Sequence, residues 1–411
     1  MRLAVVGVGG AGSRIANRVL AVERASGRNL CNGNALLIGS TPTEFDAKEN
    51  VPEERRLLIG DTYGAVEGRG TDGDVERGAE VAREDRNEIL RAFDLLEFFQ
   101  VDGILLVAGL GGGTGGGAGA VVIDEIKAVC DKPVYAVGVL PAASQGGDAA
   151  MAAARSLQSF VERADNVLLV DNETWREEAQ DGDYAETNRA VAERLVTLFA
   201  AGEFSGGTLA ENRMDPSDIM RTLATGGVST LGYAATPVPG NGLLSRLLSH
   251  PWLDRLPWRD EADDEEEPTD AAKINKLVRR AARSTLTLPA EISSADRALI
   301  MLSGPETSLS RKGFESGRYW LEKETDTVEV MAGDEPHDAA SELTATILFS
   351  NVTDVPRIEA MQAQAVGEWD GDVPEASDFE YGDGSDAGGD GPDDERDADA
   401  SDVEEPTSPN Q

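Results

Sequence analysis

Two glycine-rich loops carry the most specific chemistry in the sequence. The first is Gly7-Val8-Gly9-Gly10-Ala11-Gly12, which closes an apolar run, residues 2–8, and opens a stretch with helical spacing. Glycines let the backbone approach an oxygen closely, and a helix N-terminus offers unpaired N–H groups. A strand–glycine loop–helix unit is therefore suited to phosphate. The second loop is Gly109–Gly119, where eight of eleven residues are glycine. So many glycines cost backbone entropy that a plain connection does not require. Two such units on one sheet could cradle one polyphosphate from two sides. No Gly-x-x-x-x-Gly-Lys-[Ser/Thr] motif is present, and neither loop contains Lys. Backbone N–H groups, helix dipoles and a bound cation would then meet the phosphate charge. The plainer alternative for each loop is tight packing or flexibility.

The first loop also matches the dinucleotide fingerprint Gly-x-Gly-x-x-Gly. A Rossmann oxidoreductase places Asp or Glu at the end of its second strand to hold a ribose. Here that end reads Gly39-Ser40-Thr41, and no acid follows before Glu44. Such an enzyme also leaves the second glycine run without a purpose. A third constellation is Asp215-Pro216-Ser217-Asp218, two carboxylates three residues apart at a helix start, where both can face the same way. They could orient a water; equally, Asp215 could be an N-cap and Asp218 a first-turn acid favoured by the dipole.

The elements that must position these residues alternate. Residues 2–8, Ala35–Gly39, Gly103–Ala108, Val134–Leu140 and Asn166–Val170 read as buried strands. Ser13–Arg24, Asp74–Phe98 and Ala118–Val129 read as helices, with a Gly- and Asp-rich loop over Gly60–Gly73. Alternation of this kind predicts a Rossmann-like parallel α/β sheet with helices on both faces. A long amphipathic helix over 184–202 carries Val191, Leu195, Leu198 and Phe199 on one stripe and could connect two domains. The segment Thr208–Tyr233 holds the acid pair and a further helix. A smaller α/β unit follows over Ala271–Met361. Its strands are Leu299–Leu302, Thr327–Met331 and Glu342–Phe349, and its helices Ala271–Ser284 and Ser310–Glu322. Beyond Gln362 the composition is that of a disordered segment.

Composition narrows the classes. Two cysteines exclude a disulfide scaffold, and two histidines argue against a His-built metal site or a Ser-His-Asp triad; no metal site is expected from the protein's own side chains. No run of 18 apolar residues exists, and the first residues do not read as a secretory leader, so the expected location is the cytoplasm. The net charge is −39. From Val366 onward there are 17 acidic residues against one basic, Arg396, so the acidity is not confined to the tail. Only 7 of the 37 basic residues are Lys. A Lys-poor acidic surface suits molar salt, where self-repulsion is screened; an acidic partner-binding surface is the alternative. Nucleic acid is disfavoured as a partner, because phosphates need basic patches.

Gly111–Gly117 resembles the tubulin/FtsZ signature Gly-Gly-Gly-Thr-Gly-[Ser/Thr]-Gly. Within that superfamily the chain is most similar to the archaeal CetZ group, on the stretches Val107–Gly115, Arg155-Ser156-Leu157 and Leu168–Asn172. The resemblance spans about residues 1–361. It implies a GTP-binding domain over 1–183, a linking helix over 184–207, and a C-terminal activation domain over 208–361 with an insertion at about 240–269. An acidic disordered tail would occupy 362–411. It implies phosphate contacts from Gly9, Gly10, Ala11, Gly12 and Ser13, and a γ-phosphate-sensing loop at Gly70, Thr71 and Gly73. The signature loop Gly112, Gly113, Thr114, Gly115 and Gly116 would lie on the phosphates. Gln145 falls at the ribose position, and Asn172 and Asn188 at the two positions that read guanine; an amide can both donate and accept along a base edge. Asp215 and Asp218 would complete the GTP site of the next subunit, so hydrolysis would follow head-to-tail assembly into filaments. Mg2+ or K+ would accompany the nucleotide, and the role would lie in cell shape or division.

The chain departs from the family's pattern at Gly116, at Gln145 and at Gly39-Ser40-Thr41, which stands where FtsZ has Asn-Thr-Asp and CetZ proteins often begin Asn-Ser. Gly116 replaces a Ser or Thr hydroxyl, and Gln145 replaces Glu, which as a neutral amide bonds a ribose hydroxyl less strongly. These changes motivate a slow GTPase or a nucleotide-binding filament scaffold without useful turnover. The insertion carries an apolar stretch, 243–258, broken by Pro251 and Pro257. It reads either as a partner or membrane-surface anchor or as a loop packed back on the protein. The acidic tail would keep filaments soluble and offer a surface for partners.

Overall fold

Continuous apolar runs form strands that are buried on both faces, as a parallel sheet requires. The computed structural model describes residues 1–64, 66–175, 184–201, 214–238, 270–284, 286–325, 329–337 and 340–367. The insertion at 240–269, with its apolar stretch 243–258, therefore lies wholly outside the described residues. The strands β1 (Leu3–Val8), β2 (Ala35–Gly39), β3 (Arg56–Leu58), β4 (Gly103–Gly109), β5 (Val134–Leu140) and β6 (Asn166–Asp171) lie in the order β3-β2-β1-β4-β5-β6, all parallel. This doubly wound order reverses direction between β1 and β4, and a crevice opens at the carboxyl ends of those two strands. Both glycine loops leave from there: α1 (Gly9–Ser26) follows β1, and α4 (Gly119–Val129) follows β4.

Strand β7 (Val228–Pro237) joins this sheet to a second one. Its first two residues pair in parallel with Val167 and Leu168 of β6, and Thr230–Pro237 pair antiparallel with β10 (Glu342–Val352). Beyond β10 lie β8 (Ala295–Gly304), antiparallel to it, and β9 (Glu329–Pro336), parallel to β8. The result is one mixed sheet of ten strands, mostly parallel in its first part. Four further helices frame the first part: α2 (Val75–Glu84), α3 (Arg86–Phe93), α5 (Gly147–Arg163) and α6 (Ala185–Phe199). The remainder carries α7 (Pro216–Leu223), α8 (Asp270–Ser284), α9 (Arg311–Thr325) and α10 (Pro356–Val366).

The stripe Val191, Leu195, Leu198 and Phe199 is buried, and Phe199 stacks on Tyr135 of β5 at 6.2 Å between ring centroids. Each such side chain stabilises the packing by about 1.5–3 kcal/mol. Helix α6 runs from the carboxyl edge of the parallel sheet to its amino edge. At the far end the Met1 ammonium donates to the Phe199 carbonyl at 2.8 Å.

Several sequence expectations need correction. The helix expected over 74–98 is two helices, because Asp85 leaves helical geometry (φ −90°, ψ 20°). Its carboxylate accepts the Gly60 N–H at 2.5 Å, tying the loop after β3 to the break. Elements β3, β7, α5 and α10 have no counterpart in the sequence reading; α5 is rich in Ala, so its apolar stripe is thin. The acidic segment expected to be disordered from 362 begins inside α10, which continues to Val366 before Gly367 ends it in the left-handed region. The rest of the tail lies outside the described residues.

Candidate functional site

The crevice between β1 and β4 holds a cleft of about 410 Å³. The first glycine loop contributes Gly9, Gly10 and Ala11, and the second Gly112, Gly113, Thr114 and Gly115. Gly70, Thr71 and Gly73 close it from the loop before α2, and Gln145 and Asn172 reach it from the ends of β5 and β6. Twelve of the sixteen nucleotide positions inferred from the sequence thus meet in one cleft. Their common feature is backbone: the first N–H groups of a helix have no intrahelical acceptor and point at the crevice.

The other four fall elsewhere. A Cβ on Gly12 would lie 2.1 Å from the Val107 carbonyl, so Gly12 lets α1 lie directly on β4. Ser13 is fully buried, and its hydroxyl finds no hydrogen-bond partner among the described residues. Gly116 faces α5: a Cβ there would meet the Ser156 Oγ at 2.0 Å and the Leu110 carbonyl at 2.9 Å. The hydroxyl that the family signature carries at this position is replaced by space for Ser156. Asn188 lies on the first turns of α6 and lines an adjoining pocket of about 370 Å³ with Asn17, Arg18 and Lys48. Arg14 and Tyr184 line both spaces and form the neck between them.

Thr114 is the hub of the loops. Its Oγ1 lies 2.6 Å from Ser40 Oγ and 3.2 Å from Thr71 Oγ1, so three separate loops meet at one hydroxyl. The segment Thr114–Ala118 is a π-helical turn, a wide turn that often marks functional sites. Glu44 enters the same region and accepts the N–H groups of Gly10, Ser40 and Thr41. Burial pushes its carboxyl above the usual glutamate range, while those N–H groups and the Thr114 hydroxyl pull it back. The Gln145 Oε1 accepts the Ala142 N–H at 3.0 Å, which leaves the amide NH2 for the cleft.

The loops after β5 and β6 are braced from behind by α10. Arg357 Nε donates to Asp171 Oδ1 at 3.0 Å and its Nη2 to the Pro141 carbonyl at 2.8 Å; Arg357 and Asp171 are each 1% exposed. Gln364 Nε2 donates to the Ala143 carbonyl. Arg194 of α6 lies 4.4 Å from the Trp175 ring centroid, behind Asn172.

Asp215 and Asp218 do not line the cleft. Asp215 caps α7, its Oδ1 accepting the Ser217 N–H at 2.7 Å, and this bond holds its carboxyl below the usual range. Asp218 Oδ2 lies 3.4 Å from the Asp215 N–H, so both acids have the capping geometry. Asn166, the first residue of β6, binds the carbonyls of Leu223 and Gly226 at the end of α7. The acid pair therefore belongs to the amino edge of the parallel sheet and the cleft to the carboxyl edge. The 15 residues of α6, about 22 Å long at 1.5 Å per residue, run between the two edges.

The sequence reading missed Arg14, Asn17, Arg18, Glu44, Lys48, Tyr184 and the Arg357 brace, and it noted Ser40 and Thr41 only as a departure from the family's pattern. Arg14, Asn17 and Arg18 had a signal: spacing of three and four residues puts them on one face of α1 directly after the glycine loop. Arg357 had none, since it acts from 186 residues away.

Family models match both parts of the chain. Residues 2–180 match the Tubulin/FtsZ family GTPase domain, and residues 177–367 match the Tubulin-like CetZ C-terminal domain. Tubulin-like protein CetZ3 of Haloferax volcanii is 42% identical over 371 residues, covering 89% of this chain and 92% of that one. The chain belongs to the tubulin-like CetZ family. Among solved structures, the GDP-bound monomer of CetZ1 from Haloferax volcanii is 36% identical with a TM-score of 0.75, covering 89% of this chain and 99% of that one. The GTPγS-bound protofilament of CetZ2 from the same organism is 30% identical with a TM-score of 0.75, covering 90% and 98%. The CetZ fold therefore extends over both the cleft and the acid pair. No helix among the described residues is long and apolar enough to cross a membrane.

Proposed function

We propose that this CetZ protein binds GTP in the cleft, assembles head to tail, and hydrolyses GTP at the junction between subunits. The observation that carries the reading is the separation of the two half-sites, with the cleft and the acid pair on opposite edges of one chain. A heterologous contact that stacks one edge on the other brings Asp215 and Asp218 of one subunit over the cleft of its neighbour, and such contacts repeat into filaments. The relatives described as a GDP-bound monomer and a GTPγS-bound protofilament support the nucleotide binding and the assembly.

In this mechanism the N–H groups of Gly10, Ala11 and Gly112–Gly115 hold the phosphates, and Thr71 and Gly73 approach the γ-phosphate. Gln145 binds the ribose through its NH2. Tyr184 offers a face for the base, with Asn172 and Asn188 reading its edge from the two adjoining spaces. Asp215 and Asp218 of the next subunit orient a water in line with the γ-phosphorus. The water oxygen bonds to phosphorus as the bond to the β–γ bridging oxygen breaks, and GDP and inorganic phosphate leave. Among the described residues no three His, Cys, Asp or Glu side chains gather to hold a metal. Mg2+ or K+ would enter with the nucleotide's phosphates and supply charge neutralisation there.

We read 1–183 as the GTP-binding part, 184–207 as the linking helix, 208–361 as the activation part, and the residues beyond α10 as the tail. The place of action is the cytoplasm, and the role is filament-based control of cell shape or division. The segment 243–258 and the tail are the surfaces for membrane or protein partners. The scaffold reading loses one of its two motives, since Gly116 faces α5 and not the phosphates.

The test is sedimentation and phosphate release in molar KCl. GTP-dependent pelleting is expected, with release rising faster than linearly with protein concentration. Hydrolysis per subunit that is flat with concentration sinks the assembly-coupled mechanism. Asp218→Ala should keep GTP binding and lose turnover; an active variant refutes the catalytic assignment. Assembly should fail at low ionic strength, where subunits of this charge repel one another.

A further inference from the structure

The cleft contains an anion that belongs to the chain itself. Glu44 reaches in from the loop after β2. Its Oε1 accepts the Gly10 N–H at 3.0 Å, and its Oε2 accepts the N–H groups of Ser40 at 2.7 Å and Thr41 at 3.3 Å. A local cap explains the second oxygen, because Glu44 is the third residue of the 3-10 turn that Thr41 begins. It does not explain the first. The Gly10 bond crosses 34 residues of chain to the second residue of α1. That N–H is one the helix leaves unpaired, which is the kind of donor an anion uses. The Thr114 hydroxyl, from the other glycine loop, also interacts with this carboxylate.

We infer that Glu44 is an internal competitor of the nucleotide's phosphates. The inference rests on the reading of the cleft as a GTP site. A phosphate oxygen and the Glu44 carboxylate claim the same Gly10 donor, and two like charges do not share it without cost. Binding of a nucleoside di- or triphosphate must move Glu44 off Gly10 or place a cation between them. Glu44 therefore lowers affinity in proportion to the phosphate charge brought near α1, leaves the nucleoside itself unaffected, and keeps bound nucleotide exchangeable. Glu44, which lines the cleft from the β2 side as Asp72 does from the loop before α2, thereby acts as a determinant of specificity.

The experiment is isothermal titration of the full chain in molar KCl with GTPγS, GDP and guanosine, each with excess Mg2+ and with EDTA. Glu44→Gln removes the charge and keeps an oxygen for the Ser40 N–H. Glu44→Ala removes the side chain outright and is measured beside it, so that a folding failure of one leaves the other to decide. In EDTA the Kd for GTPγS should fall about tenfold or more, equivalent to about 1.4 kcal/mol. The change should be smaller for GDP, absent for guanosine, and reduced by Mg2+. Folded variants whose GTPγS affinity is unchanged or weaker overturn the inference, because a purely structural cap predicts those results. Wild-type protein that binds no guanine nucleotide overturns the GTP reading instead, and the two failures are distinct.

Discussion

Gly116→Ser restores the hydroxyl of the family signature, and the structure gives it a cost rather than a benefit. A Cβ at this position would lie 2.0 Å from Ser156 Oγ, 2.9 Å from Ser156 Cβ and 2.9 Å from the Leu110 carbonyl. Ordinary contact begins near 3.4 Å, so α5 and the π-helical turn must part by more than 1 Å or Ser156 must leave its rotamer. Overpacking of this kind costs about 1–3 kcal/mol, and the depth of the overlap argues for the upper half of that range. Ser156 Oγ is buried without a hydrogen-bond partner among the described residues. Ser156→Ala should therefore be nearly neutral alone, because it deletes a hydroxyl that bonds nothing. In the double variant the nearest contact relaxes from 2.0 to 2.9 Å, and about 1 kcal/mol or more should return.

The assay is thermal unfolding of the four proteins in molar KCl. At about 2 cal/mol/K of unfolding entropy per residue, a chain this long loses about 1–2 °C per kcal/mol. Gly116→Ser should melt about 2–5 °C lower, and the double variant should recover at least a third of that. GTP affinity should be the same in all four once they are folded. Two results refute the reasoning: a Gly116→Ser protein that is fully stable and binds GTP more tightly, or a double variant that melts where the single one does.

Other variants test the brace, the base and the buried acid. Arg357→Ala strands Asp171 as a buried, unpaired charge and should cost about 3–5 kcal/mol in urea unfolding. Nucleotide affinity should fall with it, because Pro141 and Asp171 anchor the loops of Gln145 and Asn172. Tyr184→Ala should weaken GTP and GDP equally, by about 1–3 kcal/mol in a fluorescent-nucleotide titration if the ring stacks on the base. Glu44 gives a pH signature. Its folded pKa is raised, so the folded protein holds a proton that the unfolded chain releases. Stability must then fall as pH rises from the ordinary glutamate range to the raised value. The difference in melting temperature between wild type and Glu44→Gln should move in that direction in the acid range and flatten above it.

The legible part of this protein was the part whose signal is local. A run such as Leu3–Val8 can only be a doubly buried strand, and a glycine loop between strand and helix has few uses besides packing and phosphate. Loop positions such as Gly112–Gly115 could be read from the signature alone. What remained hidden depends on distant partners. Gly116 looked like a lost phosphate contact because nothing in the sequence places Ser156 against it. Glu44 was given no role, because its bond to Gly10 is set by how β2 lies beside β1. The strand β7 went unread because it changes neighbours part-way, and α5 because Ala side chains leave a weak periodicity.

On the function proposed above, the two edges of the parallel sheet are what would give one chain half of each site. In a parallel sheet every strand points the same way, so all the helix N-termini that follow strands gather at the carboxyl edge. That edge collects unpaired N–H groups and glycine loops, and it favours an anion. The amino edge receives only helix ends and returning chain. It is where α6 delivers Phe199 to Met1 and where α7 is tied to Asn166. An acid pair placed there is far from a phosphate at the other edge, because α6, about 22 Å long at 1.5 Å per residue, runs between the two edges. A subunit of this kind is a vector with an anion-binding end and an acidic end. In the assembly we propose, two copies aligned along it would make one complete site and leave an unused half at each outer end. A head-to-tail pair would thus keep two open halves, so the geometry that separates the groups also favours continued addition. Asp218→Ala protein mixed with wild type should accordingly lower turnover per filament in proportion to the junctions it supplies, while leaving nucleotide occupancy unchanged. Turnover that follows the number of intact clefts instead would place the acids and the nucleotide in the same subunit, against the edge geometry.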